Sequence, residues 1–142
     1  MKEALLGRWS LKSWYQDYDD GRVIYPFGEN PKGFIDYQPS GHMCCTIVRG
    51  DRRKFTTGGQ WNADTAEKAG AYDSYLSYSG TFDVSEKAVL HNVEFAIFEN
   101  WVGSVQKRVF DLDGDTLNLS ARLEENTPEA RTAILQWKRS DA

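Results

Sequence analysis

The stretch that most constrains this chain is Val89–Leu112, which reads VLHNVEFAIFENWVGSVQKRVFDL. Val89, His91, Val93, Phe95 and Ile97 alternate with Asn92, Glu94 and Ala96, so the first half reads as a β-strand with one buried face. Glu99-Asn100-Trp101-Val102-Gly103 then breaks the pattern as a hairpin connection containing a large aromatic. Alternation resumes, with Phe110 and Leu112 marking an inner face that Gln106 and Arg108 share. The hairpin therefore brings His91, Gln106 and Arg108 together on an otherwise apolar surface. Burying such groups without partners costs roughly 2–7 kcal/mol each, and more for a charge. A β-rich chain that places three of them inside is read as lining a pocket.

Other segments supply more strands. Gly7-Arg8-Trp9 opens the first, with Trp9, Leu11 and Ser13 expected on one face and Ser10, Lys12 and Trp14 on the other. Asp19-Asp20-Gly21 is a turn, and Pro26 to Pro31 a stiff loop. Short strands are expected over Gly33–Tyr37 and His42–Val48, then around Tyr78–Val84, Leu117–Leu123 and Ala133–Trp137. Cys44 and Cys45 are chain neighbours, which makes them free thiols on opposite faces, one of them buried. One principal helix is expected from roughly Asp64 to Ser77. Asp64 is its N-cap, Glu67 stands three residues on, and Ala66, Ala69, Tyr72 and Leu76 recur at helical spacing. The polar segment Arg49–Asn62 is either a flap over a pocket mouth or a plain solvated loop.

Composition narrows the classes. The 142 residues suit a single domain spanning residues 1–142, and 13% aromatics, with five Trp and seven Tyr, suit strands and cavity walls. A net charge of −4 argues against a nucleic-acid partner. No apolar run approaches the ~20 residues of a membrane span. The opening MKEALLGRW carries no signal-peptide h-region, so a reduced, cytoplasmic protein is expected. Asp111, Asp113 and Asp115 imitate a calcium loop, but Thr116 and Arg122 stand where that loop needs glycine and a bidentate acid. With His42 and His91 as the only histidines, no metal tetrad is expected, and no phosphate loop or dinucleotide fingerprint calls for a cofactor.

An ordered set of motifs resembles the lipocalin-like domain proteins of bacteria and fungi, small calycin-type barrels. It runs from Gly7-Arg8-Trp9 through Tyr25-Pro26-Phe27-Gly28-Glu29-Asn30-Pro31-Lys32-Gly33 and Tyr37-Gln38-Pro39-Ser40-Gly41-His42-Met43. It continues with Tyr78-Ser79-Gly80-Thr81-Phe82, His91, and Asn100-Trp101-Val102-Gly103 followed by Gln106 and Arg108. The family usually has proline before the Asn-Trp pair, where this chain has Glu99. The resemblance implies an all-β fold, a closed antiparallel barrel of about eight strands with an internal cavity. It does not imply one reaction, although some similar small barrels act as cyclases or isomerases.

Two functional classes and a structural alternative follow. The first is a binder of a small apolar or amphipathic ligand, held by His91, Gln106, Arg108, Trp101, Tyr78, Phe95, Phe110 and Trp9. The second is a cofactor-free isomerase or cyclase, with His91 as acid or base and Arg108 as anion stabiliser. The third is purely structural, with His91 and Arg108 satisfying buried backbone groups or an acid such as Glu94. Exposed Trp14 and Trp61 would leave homodimerisation open.

Overall fold

The central hairpin forms with His91 directly opposite Gln106 and Val89 opposite Arg108. The computed structural model describes residues 2–140. Around the hairpin, each strand pairs antiparallel with its neighbour in the chain. The barrel strands are β1 (Gly7–Tyr18), β3 (Lys32–Tyr37), β4 (His42–Val48), β5 (Tyr75–Ser85), β6 (Ala88–Ala96), β7 (Val105–Asp113), β8 (Thr116–Leu123) and β9 (Arg131–Arg139). Pairing of β1 with β9 closes the ring, giving an eight-stranded antiparallel barrel. The two-residue β2 (Val23–Ile24) adds to the far half of β1, beyond the part that pairs with β3. Closure leaves no long edge unpaired, and the alternating faces put one side chain in two into the interior.

One end of the barrel is plugged. The short helix α1 (Lys2–Leu5) delivers Leu5, fully buried, into the core cluster that also holds Trp9 and Tyr37. The Trp9 Nε1–H donates to the Leu5 carbonyl at 2.9 Å. The tight β3–β4, β5–β6 and β7–β8 turns lie at this end. The longer connections, including Arg49–Asn62 and the 3-10 turn Glu99–Trp101, lie at the other.

Two β-bulges change which side chains face inward. In β1 the register slips between Leu11 and Ser13, so Trp14 and Gln16 turn toward the barrel interior, where Trp14 had been expected outside. In β6 the slip falls opposite Ser79 and Gly80: Ser79 pairs with Phe95 and Gly80 with Val93, leaving Glu94 extra. Phe95 and Ile97 therefore leave the inner face, and Phe95 is 73% exposed. A bulge adds one residue to a period of two and so inverts every side chain beyond it. Gly80 makes this bulge, since a Cβ there would overlap the Asn92 carbonyl oxygen.

The helix is shorter than its sequence pattern. α2 spans Thr65–Asp73, with the Asp64 side chain accepting from the Glu67 N–H at 2.8 Å as the cap signal required. Leu76 is not on it; β5 begins at Tyr75, which pairs with Val48. No residue of α2 is buried. The apparent helical stripe thus belongs to two elements, and the β4–β5 ladder decides where the helix stops. Glu67 does not complete a reciprocal box, because its carboxylate accepts from the Thr56 N–H and hydroxyl.

Candidate functional site

The barrel encloses a cavity of about 370 Å³ on the side away from α1. Its apolar walls come from Ile35, Ile47, Leu76, Leu119, Leu135 and Trp137. Its polar wall carries Gln16, Cys45, Tyr78, His91, Gln106 and Arg108, with Trp14 and Trp101 adding aromatic faces. The hairpin register explains this concentration: Gln106 lies directly across from His91, and Arg108 is its diagonal neighbour on the same face.

Five of the eight residues expected at the site line the cavity: His91, Gln106, Arg108, Trp101 and Tyr78. Trp9 and Phe110 are buried in the core but contribute no cavity wall, Trp9 because it packs under α1. Phe95 is outside the barrel, displaced by the β6 bulge. Tyr37, Cys45, Gln16 and Trp14 were not expected as site residues. Tyr37 and Cys45 follow the simple alternation of β3 and β4, Ile35-x-Tyr37 and Met43-x-Cys45-x-Ile47, and so were legible as inward positions. Trp14 and Gln16 required knowledge of the β1 bulge.

His91 is fully buried and held at both ring nitrogens. The Tyr37 hydroxyl lies 2.7 Å from its Nε2 and the Tyr78 hydroxyl 2.7 Å from its Nδ1. Burial, and then the positive charge of Arg108, push its pKa down to about 3, so the imidazole is neutral. Burial also raises the two tyrosines and pushes Cys45 up to about 12. A neutral imidazole with both nitrogens engaged orients hydroxyl groups; it has no ionised form near neutral pH with which to act as an acid.

Arg108 is half-buried and differently placed. Its guanidinium donates to the Gln106 Oε1 and to the Lys107 carbonyl, each at 3.0 Å. Among the described residues no carboxylate pairs with it. Glu94, the acid considered from the sequence, is the exposed bulge residue. The indole N–H groups of Trp14 and Trp137 are buried without a hydrogen-bond partner among the described residues. The cavity wall therefore carries one cation, Arg108, and no carboxylate. Among the described residues no group of three or more His, Cys, Asp or Glu is placed to hold a metal ion.

No residue of Arg49–Asn62 lines the cavity. The segment packs on α2 through Arg52, which donates to the Ser74 hydroxyl at 2.9 Å, and through Thr56. Trp61 is 80% exposed, as expected, whereas Trp14 is a cavity residue. No helix among the described residues is long and apolar enough to cross a membrane.

A closed antiparallel barrel, plugged by an N-terminal helix and hollow toward its long loops, defines a lipocalin-type cup. The chain belongs to the lipocalin-like domain family, whose model matches residues 6–140. A segment of 62 residues, 38% of this chain, is 42% identical to the 4'-hydroxy-3'-methoxypropiophenone carrier protein ppsC of Aspergillus oryzae. The match covers 56% of that protein, so the chain spans little more than half the length of this curated relative. A lipocalin-like protein from Bacteroides uniformis has the same fold at 14% identity, with a TM-score of 0.51 over 96% of this chain and 98% of that one. An uncharacterized protein from Bacteroides eggerthii aligns at 13% identity and a TM-score of 0.46, covering 94% and 98% of the two chains.

Proposed function

We propose that this chain is a carrier-type barrel that holds one small, largely apolar molecule bearing acceptor oxygens. The carrying observation is the mismatch in the cavity wall, where the Arg108 guanidinium has no carboxylate. A ligand that supplies oxygen acceptors complements such a wall, while Leu76, Leu119, Leu135 and Trp101 cover its apolar body. A volume of about 370 Å³ falls at the small end of ligand pockets, which suits a single aromatic ring with short substituents. The name of the Aspergillus relative supports that class, since its stated cargo is an aryl ketone.

Nothing in the geometry favours catalysis by His91, whose ring is neutral near pH 7 and already engaged at both nitrogens by Tyr37 and Tyr78. The purely structural reading accounts for His91 but leaves Arg108 facing a cavity without a counter-charge. The test is titration of the purified protein with 4'-hydroxy-3'-methoxypropiophenone. Trp14 and Trp101 serve as fluorescent reporters, and native mass spectrometry gives the stoichiometry. One equivalent bound is the expected result. No binding, with no co-purifying small molecule in the native mass, rejects the reading.

A further inference from the structure

We infer that Tyr37, His91 and Tyr78 form a one-directional hydrogen-bond chain that presents the Tyr78 O–H to the cavity as a donor for a ligand's carbonyl oxygen. The inference rests on the binding reading above and specifies its ligand.

Counting hydrogens fixes the direction. Tyr37 is 1% exposed and packs its ring against Phe82 with centroids 4.7 Å apart. Its hydroxyl has one hydrogen-bond partner among the described residues, the His91 Nε2. A buried hydroxyl hydrogen left unpaired is expensive, so Tyr37 donates and Nε2 accepts. The single N–H of a neutral imidazole is then on Nδ1, which donates to the Tyr78 oxygen. The neutral state agrees with the depressed pKa of His91. With its oxygen accepting from His91, Tyr78 has its own hydrogen to donate elsewhere.

The reverse polarity fails the same count. A proton on Nε2 would make Tyr37 the acceptor and strand the Tyr37 hydrogen inside the core. The Tyr78 hydrogen would then be spent on Nδ1, and the wall would lose a donor. In the favoured polarity the sulfur of Cys45, the residue directly paired with Tyr78 on β4, competes for the Tyr78 hydrogen. That thiol stays protonated because burial raises its pKa, and a neutral sulfur accepts weakly. Tyr78, His91 and Cys45 all line the cavity, and Tyr37 does not.

The chemistry of the acceptor follows. The groups in contact with the Tyr78 hydroxyl, His91 and Cys45, are buried and neutral, which penalises a full carboxylate charge placed directly on it. The charge of Arg108, two strands away on β7 and part of the same cavity wall, favours an oxygen with partial negative charge. A ketone or similar carbonyl oxygen meets both conditions. Tyr78 is thus a ligand-binding residue, and His91 and Tyr37 are positioning residues that prevent its hydrogen from being used internally.

The test has a ligand-free arm and a paired-ligand arm. Long-range ¹⁵N–¹H correlation of the wild-type protein should show His91 with a protonated Nδ1 and a bare Nε2. A proton on Nε2, or on both nitrogens, overturns the chain whatever binds. The second arm compares 4'-hydroxy-3'-methoxypropiophenone with the same molecule carrying methylene in place of its carbonyl. The wild type should prefer the ketone by about tenfold, the scale of one net hydrogen bond. Tyr78→Phe should remove the preference while still binding the methylene compound. Tyr37→Phe should weaken the preference although Tyr37 touches no ligand, because Tyr78 can then donate to His91. Equal wild-type affinity for both compounds overturns the carbonyl assignment and leaves the binding reading standing. Failure of both to bind overturns the binding reading itself.

Discussion

Arg139 and Trp9 lock the plugged end of the barrel: the guanidinium lies 4.1 Å above the indole ring and donates to the carbonyls of Leu6 and Ala4 at 2.8 Å each. Trp9 in turn donates to Leu5, so one cation–π contact and three hydrogen bonds tie β1, β9 and α1 into a single unit. Replacing Arg139 by alanine removes two charge-assisted bonds and exposes two carbonyls. A loss of about 2–3 kcal/mol is expected, read by denaturant unfolding. The cavity is at the opposite end, so affinity for 4'-hydroxy-3'-methoxypropiophenone should stay within a factor of two or so of wild type.

His91 should give the fold an acid limit. Its folded pKa of about 3 lies below the ordinary value of 6.5. Between those values the unfolded chain takes up a proton that the native state refuses, so stability falls as pH drops through that window. The slope attributable to this group approaches 1.4 kcal/mol per pH unit, approximately, once the unfolded histidine is fully protonated. His91→Gln should flatten that slope in urea unfolding measured from pH 7 to pH 4. An unchanged slope would mean that His91 is not the group that titrates.

Cys45 should set a corresponding alkaline limit. Its thiol is raised from 9 to about 12 by burial. Above pH 9 the unfolded chain loses a proton that the native state keeps, so stability falls as pH rises toward 12. Cys45→Ala should reduce the decline seen between pH 9 and pH 10.5 in the same unfolding experiment.

Arg108→Met is expected to separate binding from stability. The substitution breaks no ion pair among the described residues, so the fold should lose less than about 1 kcal/mol. Affinity for the aryl ketone should fall about tenfold or more, the scale of a bond to a charged group. Arg108 is also the second cause of the low His91 pKa. Its loss should therefore move the acid unfolding limb toward lower pH, which potentiometric or NMR titration of the variant checks.

The Arg49–Asn62 segment packs on α2 and contributes nothing to the cavity wall. Hydrogen exchange with saturating aryl ketone should therefore slow around Tyr78, His91 and Trp101 and leave this segment unchanged. Protection spreading over Arg49–Asn62 would identify it as a moving flap.

The Gly80 bulge should be intolerant of a side chain. A Cβ there meets the Asn92 carbonyl, and Gly80→Ala is expected to cost about 1–3 kcal/mol. The variant should lose cavity binding with stability, because the same bulge aims the end of β6.

Alternation alone determined most of the strand content and the inner face of the central hairpin as far as Val93. It put His91, Gln106 and Arg108 on one surface, because a period of two needs only neighbouring residues to be read. The cap at Asp64 was likewise a local signal. Tertiary pairing decided the rest. The extra residue in β1 turned Trp14 inward and the one in β6 turned Phe95 outward, since a bulge exists only relative to the partner strand. The β4–β5 ladder took Leu76 from the helical stripe. The partner of His91 Nε2 stands 54 residues away on β3, and no spacing along the chain encodes that contact. Barrel closure makes it, by bringing strands remote in sequence around one interior.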